Sequence, residues 1–231
     1  MKRLDQFLSQ LKYGSRSEVE KMIKQECVTV NGIIAKTGRQ KINPLECQVH
    51  VNGQKVFYKE PIDIILYKPQ GYISSNKDEK YPSVINLIKE PYDRFDFKIA
   101  GRLDWDTEGL LILTTDGKLV QKITHPNKKI PKVYEVKLDK LYQEETINQL
   151  LKGVEIKDGK NEPYLAKALN LEYNQEYIYI TIDEGKFHQV KRMFLSIGYE
   201  VIKLKRIKIG HLDLSDLRIG EYKEFNRNDI F

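Results

Sequence analysis

The first sixty residues change from a helical to an extended pattern of apolar positions. Four apolar residues recur at the spacing of one helix face, namely Leu4, Phe7, Leu8 and Leu11. A second helix is predicted from Ser17, whose S-E-V-E sequence to Glu20 has the form of a capping box. Residues 28–30 (VTV) then alternate and meet Asn31-Gly32, a hairpin signal. The pattern predicts two helices on a small sheet.

The rest of the chain mixes strand and helix patterns. Strands are predicted at residues 62–67, 110–113, 133–138, 165–171, 177–182 and 201–207 and near the carboxyl end. Helices are predicted at residues 83–89, 119–123, 147–154 and 187–197. Because the two kinds of element do not alternate strictly, the predicted class is α+β, with a largely antiparallel mixed sheet flanked by helices. Residues 59–63, which include a proline, are interpreted as a linker between domains 1–58 and 64–231.

A charged segment, GRLDWDTEG at residues 101–109, interrupts this pattern. It places Arg102, Asp104 and Asp106 shortly before the apolar run 110–113, and Asp116-Gly117 follows as a turn signal. A short apolar run bounded by turns predicts a buried strand. The charged residues are therefore expected on a loop held by a rigid core, where catalytic groups are commonly placed. A solvated loop in which Arg102 pairs with a carboxylate is the alternative.

Composition narrows the possible classes of protein. The 231 residues are 40% hydrophobic and 31% charged, as in soluble globular proteins. No apolar run approaches the roughly 20 residues of a membrane helix, and the first residues lack the continuous apolar segment of a secretory signal. We therefore expect a cytoplasmic, monomeric protein without membrane contact. The two cysteines and four histidines lack metal-ligand spacing, so reduced thiols and no metal are expected.

The net charge of +6 is concentrated at one end of the chain. The first 60 residues contain 11 Lys and Arg against 6 Asp and Glu, which accounts for +5 of it. Such an excess predicts binding to a polyanion, with nucleic acid as the leading candidate. A solvated basic face without a ligand is the alternative. Basic residues are also bunched near the start of the predicted helix 187–197, where an anion would be favoured.

The amino-terminal segment resembles the S4 RNA-binding domain. The resemblance rests on R-L-D-x-x-L at residues 3–8, S-R at residues 15–16 and V-T-V-N-G at residues 28–32. It implies binding of structured RNA through phosphates more than bases. Glu26 and Cys27 depart from the glycine and basic residue that commonly precede V-T-V-N-G. The side chains expected to face RNA are Arg3, Arg16, Lys21 and Lys24.

Four later motifs resemble pseudouridine synthases of the RsuA type, within the RsuA/RluB group. They are K-P-x-G at residues 68–71, G-R-L-D-x-D-T-x-G-L at 101–110, K-x-Y at 132–134 and E-G-K-F-H-Q-V-K-R-M-F at 184–194. With the S4-like segment, the resemblance covers nearly the whole chain. It implies a cofactor-free isomerisation in which the glycosidic C–N bond of uridine is cut and the uracil is rejoined through C5.

The resemblance also implies roles for individual residues. Asp104 matches the essential aspartate of the family, which acts as a nucleophile or a base. Lys191 matches its basic partner, expected to keep Asp104 charged in a site that excludes water. Tyr134 matches an aromatic residue that stacks on the target base. Arg102 matches an arginine that can fill the space left by a flipped-out uridine.

Further expectations concern the remaining motif residues and the substrate. Additional RNA contacts are expected from Lys68, Lys186, His188, Gln189 and Arg192. Asp106 is expected to support its loop through Thr107 or backbone amides. The G-Y-I-S-S run at residues 71–75 and Y-P-S-V at residues 81–84 favour a uridine of 16S ribosomal RNA, either naked or in a small-subunit assembly intermediate.

Three alternatives are weighed against this substrate and activity. The first is a large-subunit (23S) enzyme of the same group. The second is a non-catalytic ribosome-assembly factor, which would be recognised by a broken catalytic set, whereas Asp104, Tyr134 and Lys191 are all present. The third is a glycosidase with Asp104 and Asp106 as paired carboxylates, but two positions so close in sequence need not flank a bond at the separation required.

Overall fold

The computed structural model describes all 231 residues, which divide into two compact units. The first unit is Met1–Pro61 with Ile88–Asp96, and the second is Ile62–Leu87 with Phe97–Phe231. The segment Ile88–Asp96 thus packs with the amino-terminal residues, although the sequence pattern placed it in the later domain. Its rings explain this, because Tyr92 and Phe95 both pack edge-on against Phe57, with centroids 5.5 and 5.9 Å away.

The first unit contains two helices and short antiparallel strands, as predicted. The helices are α1 (Leu4–Gln10) and α2 (Arg16–Lys24), and the strands are β1 (Lys2–Arg3), β2 (Val28–Val30), β3 (Ile33–Ile34), β4 (Lys41–Ile42), β5 (Val49–Val51) and β6 (Gln54–Lys55). A four-stranded sheet has the order β3-β2-β5-β6, and β1 pairs with β4. The apolar stripe of α1 is buried, and so are Val19 and Ile23 of α2. A 3₁₀ turn, Tyr92–Arg94, completes the unit.

The capping box of α2 lies two residues earlier than predicted. Ser15 is the N-cap: its Oγ accepts the backbone N–H of Glu18 at 3.3 Å, and Glu18 Oε2 accepts the N–H of Ser15 at 2.7 Å. Two S-x-x-E patterns overlap here, and the prediction chose the second. The Glu20 carboxylate of that second pattern instead accepts the N–H of Gly38 at 3.0 Å. A contact distant in sequence therefore decided which serine caps the helix.

The second unit is built on one large sheet. Its strands are β7 (Asp63–Lys68), β8 (Lys98–Ala100), β9 (Glu108–Thr114), β10 (Lys132–Leu138), β11 (Val154–Lys157), β12 (Pro163–Ala166), β13 (Asn170–Tyr173), β14 (Ile178–Ile182), β15 (Val201–Ile209), β16 (Leu212–Asp213) and β17 (Tyr222–Glu224). The helices are α3 (Gly117–Thr124), α4 (Glu144–Ile147), α5 (Gln149–Lys152) and α6 (Gln189–Ser196), with 3₁₀ turns at Val84–Leu87, Pro126–Lys128 and Arg227–Asp229. The sheet order is β13-β14-β10-β15-β9-β7-β17, with β8 on β9 and β16 on β15.

The sheet is mixed and largely antiparallel, which confirms the predicted α+β class. Only the β9–β15 pairing is parallel, and β11 and β12 form a separate hairpin. The helix predicted at residues 83–89 is only the short 3₁₀ turn Val84–Leu87. The helix predicted at residues 147–154 is divided into α4 and α5, and Gly153, with a φ of +102°, ends it before β11. No helix has the length and apolar character needed to cross a bilayer.

Strand β9 lies at the centre of the second unit, between β7 and β15. Residues 109–114 are all buried, as expected for a strand covered on both faces. Gly109 has a φ of +118°, and a Cβ placed there would lie 2.2 Å from the carbonyl oxygen of Arg206 on β15. The parallel pairing therefore requires glycine at this position. As a result, the loop 101–107 enters the sheet at a closely packed point.

Candidate active site

The loop 101–107, which joins β8 to β9, is held by hydrogen bonds from the buried ammonium group of Lys68. Lys68 is fully buried, and its Nζ donates to the carbonyl oxygens of Asp104 at 2.9 Å, Thr107 at 2.7 Å and Pro69 at 3.0 Å. Burial lowers the pKa of Lys68 to about 8, opposed by the negative charges of Asp104 and Asp106. The expected contact between Lys68 and RNA is therefore wrong, because this side chain fixes the loop from the inside.

Arg206 of β15 also holds this loop by hydrogen bonds. The sequence analysis did not single out Arg206 as a site residue. Its guanidinium donates to the carbonyl oxygens of Gly101 at 2.7 Å and Leu110 at 2.9 Å, with longer contacts of 3.5 Å to the Arg102 carbonyl and the Tyr134 hydroxyl. Arg206 is 1% exposed. The available signal was its alternation with Leu204, two residues earlier, which places a charged residue on the strand face that points to the interior.

Asp104 lies on this doubly held loop with its carboxylate directed toward His188. The distance from His188 Nε2 to Asp104 Oδ1 is 3.4 Å, and the Asp104 side chain is 32% exposed. His188 is the N-cap residue of α6 and has a φ of +52°, in the left-handed region that non-glycine residues seldom occupy. The sequence motifs named both residues, but it is the turn before α6 that brings the imidazole to the carboxylate.

Lys191 does not make the ion pair that was predicted for it. Its Nζ lies 2.7 and 2.6 Å from the two carboxylate oxygens of Asp106, not beside Asp104. Asp106 also accepts a long contact of 3.5 Å from the Thr107 hydroxyl, so the expected support through Thr107 is present but weak. The stronger partner of Asp106 is Lys191 on α6. The spacing of the loop residues could not reveal which of two nearby carboxylates the lysine would meet.

A cavity of about 680 Å³ opens in front of this loop, within the usual range for sites that bind small ligands. Asp104, His188 and Tyr134 line it, together with Lys132 and Arg206. Tyr134 is 7% exposed, so most of its ring forms part of the wall. Burial and the nearby charge of Arg206 lower the pKa of Lys132 to about 8. The cavity thus combines a partly exposed carboxylate, an aromatic wall and buried cations.

The other motif residues differ in their access to a ligand. Gln189 is 3% exposed, and its side chain bonds to the Lys186 amide and the Glu184 carboxylate, although it also lines the cavity. Its contact with RNA stays a prediction. Arg192 donates to the carbonyls of Lys157 and Asp158 and ties α6 to β11. Lys186 and Arg102 are exposed, and Lys186 Nζ lies 3.5 Å from the Tyr164 ring centroid.

In the first unit, the basic residues predicted to bind RNA lie on the surface. Arg16, Lys21 and Lys24 are exposed along α2. Arg3 is also exposed, but its guanidinium donates to both carboxylate oxygens of the buried Asp5, at 3.0 and 2.5 Å. This contact lowers the pKa of Asp5. Arg16, Lys21 and Lys24 therefore have no close side-chain partner, whereas Arg3 forms an ion pair with a buried carboxylate of the same unit.

Comparison with known proteins agrees with this arrangement. The family described as RNA pseudouridylate synthase matches residues 63–196, and the S4 domain family matches residues 2–44. The chain is 37% identical to the ribosomal large subunit pseudouridine synthase B of Bacillus subtilis, covering all of this chain and 94% of that protein. It is also 37% identical to the ribosomal small subunit pseudouridine synthase A of Pasteurella multocida, covering 99% and 97%.

A solved structure described as a pseudouridylate synthase matches with a TM-score of 0.66 and 34% identity, over 100% of this chain and 98% of that one. The chain therefore belongs to the RNA pseudouridylate synthase family and carries an S4 domain at its amino terminus. It is an isomerase that forms pseudouridine, as the resemblance in the sequence implied.

Proposed function

We propose that this protein converts one uridine of 16S ribosomal RNA to pseudouridine, with Asp104 as the catalytic carboxylate. The observation that carries the proposal is the position of Asp104, on a loop fixed by two buried cations at the mouth of a cavity of about 680 Å³. A group that must meet one reacting atom of the substrate gains most from such fixed placement, since misplacement by about 1 Å can cost a hundredfold in rate.

The reaction requires one bond to break and another to form without loss of atoms. The N1–C1′ bond of uridine breaks, the uracil turns within the site, the C5–C1′ bond forms, the proton on C5 leaves and N1 gains a proton. Asp104 would act on the sugar or the ring as a nucleophile or a base. Its carboxylate keeps access to the cavity, where His188 Nε2 is 3.4 Å away.

Tyr134 and Arg206 supply the wall against which the uracil would turn. The ring of Tyr134 lines the cavity, and its hydroxyl contacts Arg206 at 3.5 Å. An aromatic face accepts a flat base in more than one rotational position, because stacking depends little on the identity of the edges. Arg102 is exposed on the same loop, where it would fill the space that the flipped-out uridine leaves.

The choice of small-subunit RNA rests on the segments 71–75 and 81–84, whose sequences are more typical of the small-subunit branch. Relatives named for each ribosomal subunit match at the same 37% identity, so the large-subunit RNA is the second candidate. The basic surface of α2, with Arg16, Lys21 and Lys24 exposed, would hold either RNA through phosphates.

The test is to map pseudouridine chemically in 16S and 23S ribosomal RNA from cells with and without this protein, and in transcripts treated with the purified enzyme. One new site in 16S RNA is expected. A site only in 23S RNA would establish the second candidate instead, and a lack of product in both would contradict the proposal.

Asp104→Asn tests the catalytic assignment separately. This substitution should abolish product while leaving the affinity for RNA unchanged within about threefold, because the lost group acts on the reacting atoms. Asp216→Asn is a matched control, since Asp216 is an exposed carboxylate paired with Lys223 and does not line the cavity. Pseudouridine formed by Asp104→Asn at the normal rate would show that another group carries the reaction.

A further inference from the structure

The only tryptophan of the chain, Trp105, follows Asp104 directly in the active-site loop. Its ring stacks on that of Tyr81, with centroids 4.6 Å apart and planes inclined by 7°. Trp105 is nevertheless 46% exposed, whereas tryptophan is highly buried on average. Tyr81 covers one face of the indole, so a large part of the remaining aromatic surface is open beside the cavity, which Trp105 also lines.

The backbones that carry both rings are fixed. The carbonyl of Trp105 accepts the N–H of Gly71 at 2.7 Å, and Lys68 holds the carbonyls of Asp104 and Thr107 on either side of it. These contacts fix the backbone of Trp105, and the stack with Tyr81 fixes the orientation of the indole, so its open face is a preorganised surface.

The loop of Tyr81 is held in a similar way. The Asp78 carboxylate accepts the N–H of Ser83 at 2.7 Å, and the Ser83 hydroxyl donates to the carbonyl of Ser75. Ser83 is 1% exposed, so this anchor lies inside the protein. The segment that carries Tyr81 is also tied to the loop of Trp105, because the Ser74 hydroxyl bonds to the backbone of Leu103. The parallel stacking of the two rings therefore does not depend on the rings alone.

The charges around the stack suit a nucleic acid strand. Lys80 Nζ lies 5.6 Å from the Tyr81 ring centroid, and Lys77 and Arg102 are exposed nearby in sequence. The same segment also carries the exposed acidic residues Asp78 and Glu79, whose carboxylates accept hydrogen bonds from Ser83 and Ser75. An open aromatic face with cations at its edge is the arrangement by which proteins bind unpaired bases, with stacking on the ring and ion pairing to phosphate. A purely apolar partner would gain nothing from these cations.

We propose that the Trp105–Tyr81 stack is a binding site for an unpaired nucleobase of the substrate RNA, next to the uridine that enters the cavity. The inference rests on the proposed function in taking RNA as the substrate. Because Trp105 and Asp104 line the same cavity, a base on Trp105 would belong to a nucleotide adjoining the one at Asp104. Stacking accepts any base, so this site sets the position of the strand more than its sequence.

The experiment uses the fluorescence of Trp105, which reports on this site alone because the chain has one tryptophan. The full-length protein is titrated with the ribonucleotide AAUAA and with two analogues, each abasic at one neighbour of the uridine. Binding is measured independently by anisotropy of the same oligonucleotides carrying fluorescein. AAUAA is expected to quench the emission with the affinity that anisotropy gives, and one of the two analogues is expected to bind without quenching.

Variants provide a second measurement. Trp105→Ala should weaken binding of AAUAA about tenfold, and Trp105→Phe should restore it to within about threefold, since a smaller ring still stacks. Phe231→Ala is the control: Phe231 is another exposed ring of the same unit, at 44% exposure, outside the cavity lining, and its removal should change nothing. Unfolding temperatures of all variants show whether each remains folded.

Two results would overturn the proposal. One is unchanged Trp105 emission at AAUAA concentrations at which the anisotropy signal shows that the protein is saturated. That result would favour a protein partner, in place of RNA, as the ligand of the two rings. The other is an equal affinity of Trp105→Ala and the unaltered protein. Pseudouridine formation is scored separately, so quenching by AAUAA without product in either ribosomal RNA would contradict the proposed function and leave this site standing.

Discussion

The ammonium nitrogen of Lys191 lies 2.7 and 2.6 Å from the two carboxylate oxygens of Asp106. This contact joins helix α6 to the active-site loop, two residues beyond the carboxylate that we propose as catalytic. Lys191 and Asp106 side chains are 24% and 41% exposed, so solvent screens the pair and its value for stability is small. Its main effect is geometric, because it sets the distance between α6, which begins after His188, and the loop of Asp104.

The first prediction is that Lys191→Met and Asp106→Asn act through the same contact. Each single variant should lower kcat/KM, and the double variant should lose no more than the worse single variant. The expected coupling in a double-mutant cycle for stability is about 0.5–1 kcal/mol. The measurement is steady-state kinetics together with urea unfolding. Fully additive losses in kcat/KM would indicate that Lys191 acts on something other than Asp106.

The second prediction concerns Arg206, whose guanidinium holds the carbonyls of Gly101 and Leu110. Arg206→Met should lower the free energy of unfolding by about 2–5 kcal/mol, because two buried acceptors lose their donors. Arg206→Lys should recover part of the loss, since a lysine can reach only some of these acceptors. Arg218→Met, at an exposed arginine, is the control and should stay within about 0.5 kcal/mol.

The activity of the Arg206 variants separates a positioning role from a purely structural one. In a folded variant, a loop that has lost this contact should give a lower kcat with little change in KM, because Asp104 is misplaced in the transition state. Unaltered kcat in Arg206→Lys, despite reduced stability, would limit the residue to a structural role.

The third prediction follows from the close approach of β9 and β15. Gly109→Ala would place a Cβ 2.2 Å from the carbonyl oxygen of Arg206, at a φ of +118°, and should cost at least about 3 kcal/mol by overpacking and strain. Gly198→Ala is the matched control, with a φ of +87° and no atom within 4 Å of the new Cβ. It should cost only about 1 kcal/mol, from strain alone. Equal losses in thermal or urea unfolding would contradict the close packing.

The fourth prediction is a rise in stability at alkaline pH caused by Lys68. Burial lowers its pKa from 10.5 to about 8. Below pH 8 both the folded and unfolded states carry the proton. Between pH 8 and 10.5 the unfolded chain keeps a proton that the folded protein has released, so the free energy of unfolding increases with pH. The slope is at most about 1.4 kcal/mol per pH unit from this group.

Urea unfolding at intervals from pH 7 to 10.5 measures this effect. Lys132, whose pKa is also lowered to about 8, contributes in the same direction, so Lys68→Met should reduce the rise without removing it. Lys128→Met, at an exposed lysine, should leave the pH profile unchanged. A profile in Lys68→Met that matches the unaltered protein would show that the ammonium group titrates outside this window.

Local patterns determined most of the elements and the identity of the family. Strand β10 was predicted because the sequence alternates at residues 133–138, and β9 because residues 110–113 form an apolar run bounded by turn signals. The burial patterns of both strands agree with these predictions. Errors arose where a distant contact decided between equivalent local choices. The choice of capping serine in α2 was affected by Gly38, whose N–H donates to the Glu20 carboxylate. The placement of segment Ile88–Asp96 in the first unit was decided by its ring contacts with Phe57.

For the active site too, the sequence predicted some features and the tertiary structure decided others. The motifs determined that Asp104, Tyr134, His188 and Lys191 belong to one region, because each has a recognisable sequence context. Only the tertiary structure decided that Lys191 pairs with Asp106 and that His188 faces Asp104. It also decided that Lys68 and Arg206 are buried and donate hydrogen bonds to the backbone of the active-site loop. The physical reason is that ion pairs and hydrogen bonds depend on differences of a few ångströms between side chains. Those differences are set by the packing of β7, β9, β15 and α6, which are far apart in the chain.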